Sequence, residues 1–412
     1  MAHAVPQSAV NAGATSIETT RSREQRLMVV IPDRLSHIVS KGEITERYYN
    51  PGDLFKEVHI VMTNDDRPSA EALQPMVGTA DLHLHNVPAD GALFRRTIGW
   101  RPRLVRPWAR QIVALADQVQ PQLIRCHGAH LNSFAASEVR RILGVPYLVS
   151  MHINPDSDLR RHWKVKDSDW RARLELNARV SLERAALRNA DCVVCVYRFI
   201  EPYARRMGAR RVEVIYNVIG GGMVVEKRDY ALRGSPRVIV PGRQFDQKDP
   251  RPVLEALESL PGVQCTFVGD GPLHGELVER ARGHGLDDRA HFVRALPNDE
   301  LRRTLPDYDV LVSVNDYGGV SKVELEAALA GMPIITNRHP LEDEPEILGA
   351  ACLVVDGDAE SYRDALRRLI DDEDLRIRLG EQVRENAGAI RPEIMEQSYV
   401  ALYRDLLRPE RA

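Results

Sequence analysis

A short stretch of the chain, residues 318–326, combines glycine, hydroxyl and carboxylate side chains at spacings that suit a phosphate-bearing ligand. Gly318 and Gly319 let a ligand approach the backbone, and Ser321 with Glu324 has the S-x-x-E spacing that begins a helix. The first amides of a helix lack partners within it and lie at the positive end of its dipole, where a phosphate is stabilised. Glu326, one turn further along, is placed to accept hydrogen bonds from sugar hydroxyls. The stretch therefore predicts a sugar-nucleotide site.

The elements around this stretch are a strand, the glycine loop, a helix and a second strand. Residues 309–314 are rich in apolar side chains, with β-branched Val310, Val312 and Val314, as in a buried parallel strand, and residues 323–330 are strong helix formers. Gly331 ends the helix and Pro333 prevents it from resuming before the strand that begins at Ile334. This alternation predicts that the loop lies at the carboxyl end of a parallel strand.

The sequence VELEAALAGMPII, which contains Glu326, resembles the signature of glycosyltransferase family 4, whose members are retaining enzymes with the GT-B fold. The resemblance implies that Glu326 binds the nucleotide ribose. It also implies that the loop formed by Gly318, Gly319, Val320 and Ser321 contacts the donor.

One position departs from the family pattern. In the family an E-x7-E motif ends at the ribose glutamate, and its first glutamate contacts the donor sugar. Gly318 occupies the position of that first glutamate in this chain. Asp316 and Glu324 are alternatives for the missing contact, although Glu324 is explained more simply as the helix cap.

Two cations, Arg243 and Lys248, follow an apolar strand at residues 238–240. The segment GRQFDQK resembles the family motif GRxxxxKG, with Asp249 in place of the final glycine. The resemblance implies that both cations bind the donor diphosphate and act in catalysis, because fixed cations stabilise the charge that grows on the leaving oxygen. The alternative interpretation is a pair of solvated surface charges.

Two glycine motifs are weaker signals. The GDGP turn that begins with Gly269 and Asp270 resembles a family turn, which implies a role in shaping the nucleotide pocket; a structural turn is the alternative. Gly42 lies in a long polar loop after the first strand, where the family has a glycine-rich loop that faces donor and acceptor. An ordinary surface loop explains Gly42 equally well.

His152 ends the apolar strand predicted for residues 147–153. It resembles a family histidine near the reacting sugar, which implies a catalytic contact with the donor sugar or the acceptor. The charge of a histidine is adjustable near neutral pH. A core histidine is the alternative, and His127 and His130 are weaker candidates at the end of the preceding strand.

Strands and helices alternate along the chain, which predicts an α/β protein with doubly wound parallel sheets covered on both faces. Ligands of such sheets bind beyond the carboxyl ends of the strands. The resemblance implies the GT-B fold, two Rossmann-like domains facing a cleft, with the acceptor on the first domain and the donor on the second. The predicted parts are a tail at 1–24, a first domain at 25–218, a linker at 219–235, a second domain at 236–392 and a C-terminal helix at 393–412 that crosses back to the first domain.

Composition limits the class of protein. A chain of 412 residues has room for two domains, and 43% hydrophobic with 28% charged residues is typical of a soluble globular protein. The net charge of -3 argues against a nucleic-acid partner. No apolar run approaches the roughly 18 residues that span a bilayer, and the N-terminus lacks the pattern of a signal peptide. We therefore expect a cytoplasmic protein.

A C-x-x-C motif, Cys192 to Cys195, raises the question of metal or redox chemistry. The motif lies within an apolar strand, where residues three apart point to opposite faces, and no second C-x-x-C completes a zinc site. We predict buried structural thiols.

Residues 95–110 contain six arginines, two tryptophans and no acidic residue. Arginine with tryptophan suits an anionic membrane surface or an anionic acceptor, whereas a solvated face is the alternative. Gly99, Pro102 and Pro107 weaken the prediction of a helix here.

The function predicted from these features is a retaining glycosyltransferase that moves a sugar from a nucleotide-diphosphate sugar to a hydroxyl acceptor. A peripheral location at the inner face of the membrane, with a membrane-linked acceptor, is compatible with this prediction. No cofactor and no essential metal are expected, since Arg243, Lys248 and the helix start replace a metal. One alternative is another sugar-nucleotide enzyme of this fold, such as an epimerase. The other is a non-catalytic binding protein.

Overall fold

The computed structural model describes residues 25–97, 100–157, 170–217, 224–316, 318–339, 342 and 344–408. The predicted tail at 1–24, residues 219–223 of the predicted linker, Gly99 and the last four residues of the predicted C-terminal helix lie outside the described residues.

The first part of the chain forms a 7-stranded parallel sheet with the order β3-β2-β1-β4-β5-β6-β7. Val, Ile and Leu side chains fill its inner strands, which are buried on both faces because helices cover them. The strands are β1 Arg26–Ile31, β2 Glu57–Met62, β3 Asp81–Asn86, β4 Leu123–His127, β5 Tyr147–Met151, β6 Cys192–Cys195 and β7 Val212–Val214.

The second part forms a 6-stranded parallel sheet with the order β10-β9-β8-β11-β12-β13. Both sheets therefore reverse their strand order once, between β1 and β4 in the first sheet and between β8 and β11 in the second. The strands are β8 Arg237–Pro241, β9 Gln264–Val268, β10 Ala290–Val293, β11 Val310–Ser313, β12 Ile334–Asn337 and β13 Leu353–Val355. These sheets confirm the predicted doubly wound α/β architecture.

Helices connect the strands. The α-helices of the described residues are α1 Leu35–Ser40, α2 Ala70–Leu73, α3 Gly91–Arg96, α4 Pro102–Val119, α5 Leu131–Leu143, α6 Trp170–Arg188, α7 Glu201–Arg206, α8 Arg251–Glu258, α9 His274–Gly283, α10 Asn298–Thr304, α11 Lys322–Ala330, α12 Ala359–Asp371, α13 Glu373–Ala387 and α14 Pro392–Leu406. Among these helices, none has both the length and the apolarity needed to cross a bilayer.

The arginine-rich segment contains a longer helix than its sequence suggested. The prediction that two prolines weaken a helix here was wrong, because α4 begins at Pro102 and includes Pro107. A proline at the first helical position lacks an N–H that would have had no partner there in any case. An apolar face that buries Trp108 and Ile112 outweighs the hydrogen bond lost at Pro107.

The C-x-x-C motif lies on β6, and its two thiols pack against different hydrophobic clusters. Cys192 contacts the cluster that contains Leu27, and Cys195 contacts the cluster that contains Met28, on the opposite face of the sheet. Both thiols are free and buried, which confirms their interpretation as structural residues.

A buried arginine joins the last helix to the first sheet. Arg125 on β4 is 0% exposed, and its Nη1 donates to the carbonyl of Tyr48 at 2.7 Å and to the hydroxyl of Tyr403 at 3.1 Å. Its guanidinium also lies 4.5 Å from the ring centroid of Tyr399. Because Tyr399 and Tyr403 belong to α14, this cluster anchors the last helix on the core of the first sheet.

Tyr403→Phe removes the only hydroxyl of α14 that bonds Arg125 among the described contacts. We expect the free energy of unfolding to fall by about 1.5–3 kcal/mol, because a buried charged donor loses one of its two partners and keeps only the carbonyl of Tyr48. Urea titration measures the loss. Tyr399→Phe is the matched control, since it keeps the ring beside the guanidinium and should cost less. Equal losses in the two variants would contradict the assignment.

Candidate active site

The loops that follow β8, β9, β11 and β12 meet at the carboxyl edge of the second sheet. β8 and β11 are neighbours at the point where the strand order reverses, so the loops after them diverge and leave a crevice. The loop after β8 carries Arg243 and Lys248, and the loop after β11 carries Gly318 and Gly319. The structure therefore brings the two principal predicted motifs to the two sides of one crevice.

The cation loop rests directly on the GDGP turn. Gly242 N–H donates to the carbonyl of Val268 at 2.9 Å, and Gln244 N–H donates to the carbonyl of Asp270 at 3.1 Å. A Cβ at Gly269 would lie 1.9 Å from the carbonyl oxygen of Gly242, so no larger residue fits without moving the backbone. The side chain of Asp270 turns away to an exposed ion pair with Arg294 at 2.7 Å. The turn thus positions the cation loop through its backbone.

The two cations differ in burial. Arg243 is exposed, and its guanidinium lies 5.4 Å from the ring centroid of Phe245. Lys248 is half-buried, and its N–H donates to the carbonyl of Phe245 at 2.7 Å, which closes the loop. Burial lowers the pKa of Lys248, an effect that the negative charge of Glu324 opposes. Both cations are therefore available to an anion in the crevice, with Lys248 the less hydrated.

The predicted capping box is present at the start of α11. The hydroxyl of Ser321 accepts from the N–H of Glu324 at 3.3 Å, and the carboxylate of Glu324 accepts from the N–H of Ser321 at 2.6 Å. The other oxygen of Glu324 accepts from the hydroxyl of Thr336 at 3.0 Å. Both oxygens of Glu324 are thus committed to structure, which confirms its interpretation as a cap.

The glycine pair lies in a backbone conformation that favours glycine. Gly318 and Gly319 have φ angles of 73° and 72°. A Cβ at Gly318 would lie 2.8 Å from the imidazole of His339, and a Cβ at Gly319 would lie 2.8 Å from the ring of Phe199. Val320 follows with its side chain buried. Close packing therefore explains why this chain has glycine where the resemblance led us to expect glutamate.

A carboxylate that the sequence analysis missed reaches this loop from another strand. Glu342, in the loop after β12, accepts a hydrogen bond from the N–H of Gly319 at 2.7 Å. Its other oxygen, Oε1, is buried and has no hydrogen-bond partner among the described residues. Burial raises the pKa of Glu342 to about 7, and the charges of Glu346 and Glu324 add to the effect. No motif surrounds Glu342 in the sequence, so only the fold reveals it.

Asp316 lies on the other side of the glycine pair. Its carboxylate accepts from the side-chain amide of Asn337 at 2.9 Å, and its N–H donates to the carbonyl of Gln247 in the cation loop at 3.0 Å. Burial raises the pKa of Asp316. Asp316 therefore links the loop after β11 to the loop after β8.

Glu326 is buried on α11, where the side-chain amide of Asn298 donates to both of its oxygens at 3.2 and 3.3 Å. Burial raises the pKa of Glu326 to about 7. Gly42 of the first domain lies opposite, since a Cβ there would be 3.8 Å from the backbone N of Asn298. The neighbouring residue Glu43 pairs with Lys322 of α11 at 3.8 Å. The structure thus places the Gly42 loop beside Glu326.

A pocket of about 330 Å³ opens at the carboxyl edge of the first sheet. It lies where that sheet reverses its order, because Asp33 follows β1 and His127 ends β4. His130 and His152 also line it, and Lys322 closes it from the second domain. The pocket therefore faces the crevice that holds the glycine loop and the cations.

His152 is held in one protonation state within this pocket. Its Nδ1 lies 3.1 Å from the side-chain oxygen of Asn217, whose amide nitrogen donates to the hydroxyl of Tyr197 at 2.8 Å. An oxygen can only accept, so Nδ1 carries the proton and Nε2 presents a lone pair. Nε2 is buried without a partner in the described part of the chain. Burial lowers the pKa of His152 to about 4, so the ring is neutral near pH 7.

Comparison with known proteins agrees with this architecture. Residues 226–386 match the family described as "Glycosyl transferases group 1", and residues 56–219 match "Glycosyltransferase Family 4". Two doubly wound sheets with their loops facing one crevice define the class as GT-B proteins. The chain belongs to the family 4 glycosyltransferases of that class.

Three similar proteins illustrate the relationship. The lipopolysaccharide core biosynthesis glycosyltransferase LpsE of Rhizobium meliloti is 31% identical over 224 residues, which are 52% of this chain and 64% of LpsE. The 2-deoxystreptamine glucosyltransferase of Streptomyces kanamyceticus is 28% identical over 64% of this chain and 71% of that protein. The sucrose-phosphate synthase structure from Thermosynechococcus elongatus has a TM-score of 0.67 at 18% identity, covering 93% of this chain and 99% of that one.

Proposed function

We propose that the chain is a cytoplasmic, retaining glycosyltransferase that moves a sugar from a nucleotide-diphosphate sugar to a hydroxyl acceptor. The observation that carries the proposal is the convergence of Arg243, Lys248, Glu326 and the glycine loop on one crevice. The pocket that contains His152 faces that crevice from the first domain. Two named relatives transfer sugars, which supports the same reaction type here.

The donor is proposed to bind along the second sheet. Glu326 accepts hydrogen bonds from the ribose hydroxyls in place of those from Asn298. Arg243 and Lys248 bind the diphosphate and stabilise the charge that develops on the leaving phosphate. These cations and the start of α11 supply the positive charge, so we propose no essential metal and no cofactor for transfer.

The acceptor is proposed to occupy the pocket of the first sheet. Its hydroxyl attacks the sugar on the face from which the phosphate departs, and the leaving phosphate takes up the hydroxyl proton. His152 is a neutral hydrogen-bond acceptor through Nε2 and orients a hydroxyl of the donor sugar or of the acceptor. A pocket of about 330 Å³ accommodates a single sugar ring or a molecule of similar size.

The exposed face of α4 bears on the kind of acceptor. Arg101, Arg103, Arg106 and Arg110 are exposed, whereas Trp108 is buried and donates to the carbonyl of Pro88 at 3.0 Å. Trp108 is therefore part of the core, and the four arginines form a basic surface. We propose that this surface attracts an anionic acceptor or the anionic membrane that carries it.

The first alternative, an epimerase, would convert the nucleotide sugar without an acceptor. Incubating the protein with donor alone and analysing the nucleotide sugar separates the two activities. A non-catalytic binding protein would bind the donor and leave it unchanged with every acceptor.

A thermal-shift panel of nucleoside diphosphates identifies the base, and transfer is then measured with the matching nucleotide sugar. We expect Arg243→Ala and Lys248→Ala each to lower turnover by about 10²–10³, the loss typical of a preorganised group that stabilises transition-state charge. Arg367→Ala, which removes an exposed arginine of α12, is the control and should leave turnover unchanged. Turnover near the wild-type rate in both site variants would contradict the proposed diphosphate site.

The pH dependence of binding tests the role of Glu326. Its folded pKa of about 7 exceeds the usual 4.5, so its contribution to stability is present at low pH and is lost as the pH rises through about 7. The ionised carboxylate accepts stronger hydrogen bonds from the ribose hydroxyls. The affinity for the nucleotide should therefore rise by up to about tenfold between pH 6 and pH 8. Calorimetry with the methyl ester of the nucleoside diphosphate avoids both phosphate ionisation and the sugar. The rise should disappear in Glu326→Gln, and its persistence there would assign it to another group.

Glu342 is proposed to replace the donor-sugar contact that Gly318 lacks, because its free oxygen lies beside the glycine loop. Glu342→Gln should remove most of the affinity that the sugar adds to the nucleoside diphosphate, about 1.5–3 kcal/mol for a charged hydrogen bond. Calorimetry with both ligands measures the increment, and Asp316→Asn is the comparison. Loss of the increment in Asp316→Asn alone would move the contact to Asp316, and an intact increment in both variants would direct attention to His152.

A further inference from the structure

Four side chains with metal-binding atoms lie together on one face of the first sheet, near its edge. Glu57 and His59 are two residues apart on β2, and His83 and His85 are two residues apart on β3, so all four project to the same side. β2 and β3 are parallel neighbours, and their register places His59 directly opposite His83. None of these residues belongs to the candidate active site.

The distances bring three of these side chains within reach of one ion. The carboxylate of Glu57 lies 3.3 Å from Nε2 of His59, and the imidazoles of His59 and His83 stack with their centroids 4.5 Å apart. One ligand atom from each of these three residues lies within 4.8 Å of the other two. Ligand atoms around a tetrahedral zinc ion are roughly 3.4 Å apart, given Zn–N distances of about 2.0–2.1 Å. One pair already has this spacing, and the exposed His83 needs only a small rotation to complete the set.

We propose that Glu57, His59 and His83 bind a zinc ion, with the fourth position open to water on the exposed side of His83. Two imidazoles and a carboxylate are a ligand set that zinc accepts. The site contains no thiolate, which favours zinc or a similar borderline divalent ion over copper(I).

His85 has a supporting place in this site. Its Nε2 lies 3.1 Å from Nδ1 of His59. When Nε2 of His59 binds the metal, Nδ1 carries the proton and donates it in a hydrogen bond to His85. Such a partner fixes the orientation of a metal-binding imidazole and raises its affinity.

Arg26 competes with the ion for Glu57. Its Nε lies 3.1 Å from Oε2 of that carboxylate, the same oxygen that lies 3.3 Å from Nε2 of His59, so the metal displaces this ion pair when it binds. This competition lowers the affinity of the site for the metal ion, and it does not involve the two histidines.

The position of the site indicates a structural role. Glu57 and His59 lie in the first half of β2, whereas the candidate active site begins beyond the carboxyl ends of the strands. β3 is the edge of the sheet, and each of its residues is exposed or half-buried. A metal that joins β2 to His83 would hold this edge strand and protect it from pairing with another chain.

The experiment uses tag-free protein freed of metal with a chelator and titrated with zinc chloride in a calorimeter. We expect one zinc per chain to bind and the unfolding midpoint to rise with zinc concentration, because an ion that binds only the folded state stabilises it. Cobalt chloride is the second probe, since a tetrahedral Co²⁺ site gives strong visible absorption.

His83→Gln should weaken zinc binding at least tenfold and abolish the rise in the unfolding midpoint. His85→Gln should weaken binding by about 10–100-fold, as the loss of a supporting partner does. His291→Gln is the matched control, because His291 is also an exposed histidine on an edge strand and bonds Gln264 at 3.0 Å. The proposal is overturned if zinc does not saturate at one per chain, or if His83→Gln binds zinc as tightly as His291→Gln.

Discussion

The candidate active site depends on the backbone contact between the loops that follow β8 and β9. Gly269 lies so close to Gly242 that an added Cβ would stand 1.9 Å from its carbonyl oxygen, and Gly271 meets Gln244 at 2.2 Å in the same way. This contact fixes the direction in which Arg243 and Lys248 leave β8. Because β8 lies beside β11 where the strand order reverses, the cations then face the glycine loop across the crevice.

The crevice concentrates buried carboxyl groups as well as cations. Burial raises the pKa of Glu326 and of Glu342 to about 7 in each case. The side-chain amide of Asn298 donates to both oxygens of Glu326, and the N–H of Gly319 donates to one oxygen of Glu342. A nucleotide sugar offers hydroxyl donors to such groups and a diphosphate to the cations, so its chemistry complements both halves of the site.

The two domains are linked by contacts close to the candidate active site. The carboxylate of Glu346, in the second domain, accepts hydrogen bonds from the backbone N–H groups of Arg198 and Phe199 at 2.8 and 2.7 Å. His152 reaches the glycine loop through Asn217 and Tyr197, whose ring lies 3.0 Å from the position of a Cβ on Gly319. The pocket that contains His152 and the glycine loop therefore share Tyr197 as a common boundary, and a shift of one domain would change the geometry around His152.

The sequence by itself determined the features that depend on neighbouring residues. The capping box of Ser321 and Glu324, the glycine that ends α11 and the apolar strands were all predictable, because their causes act within a few residues along the chain. The same local patterns predicted two doubly wound sheets and the motifs at their carboxyl ends. The length of α4 was not predictable from its prolines, since burial of its apolar face decided it.

Only the tertiary structure decided which distant residues meet. Glu342 reaches Gly319 because β11 and β12 are adjacent strands, and the histidines of β2 and β3 meet because the register places His59 beside His83. The packing of His339 against Gly318 likewise explains the missing glutamate. No spacing in the sequence encodes these contacts, because strand order and register are set by the burial of whole sheets rather than by local preference.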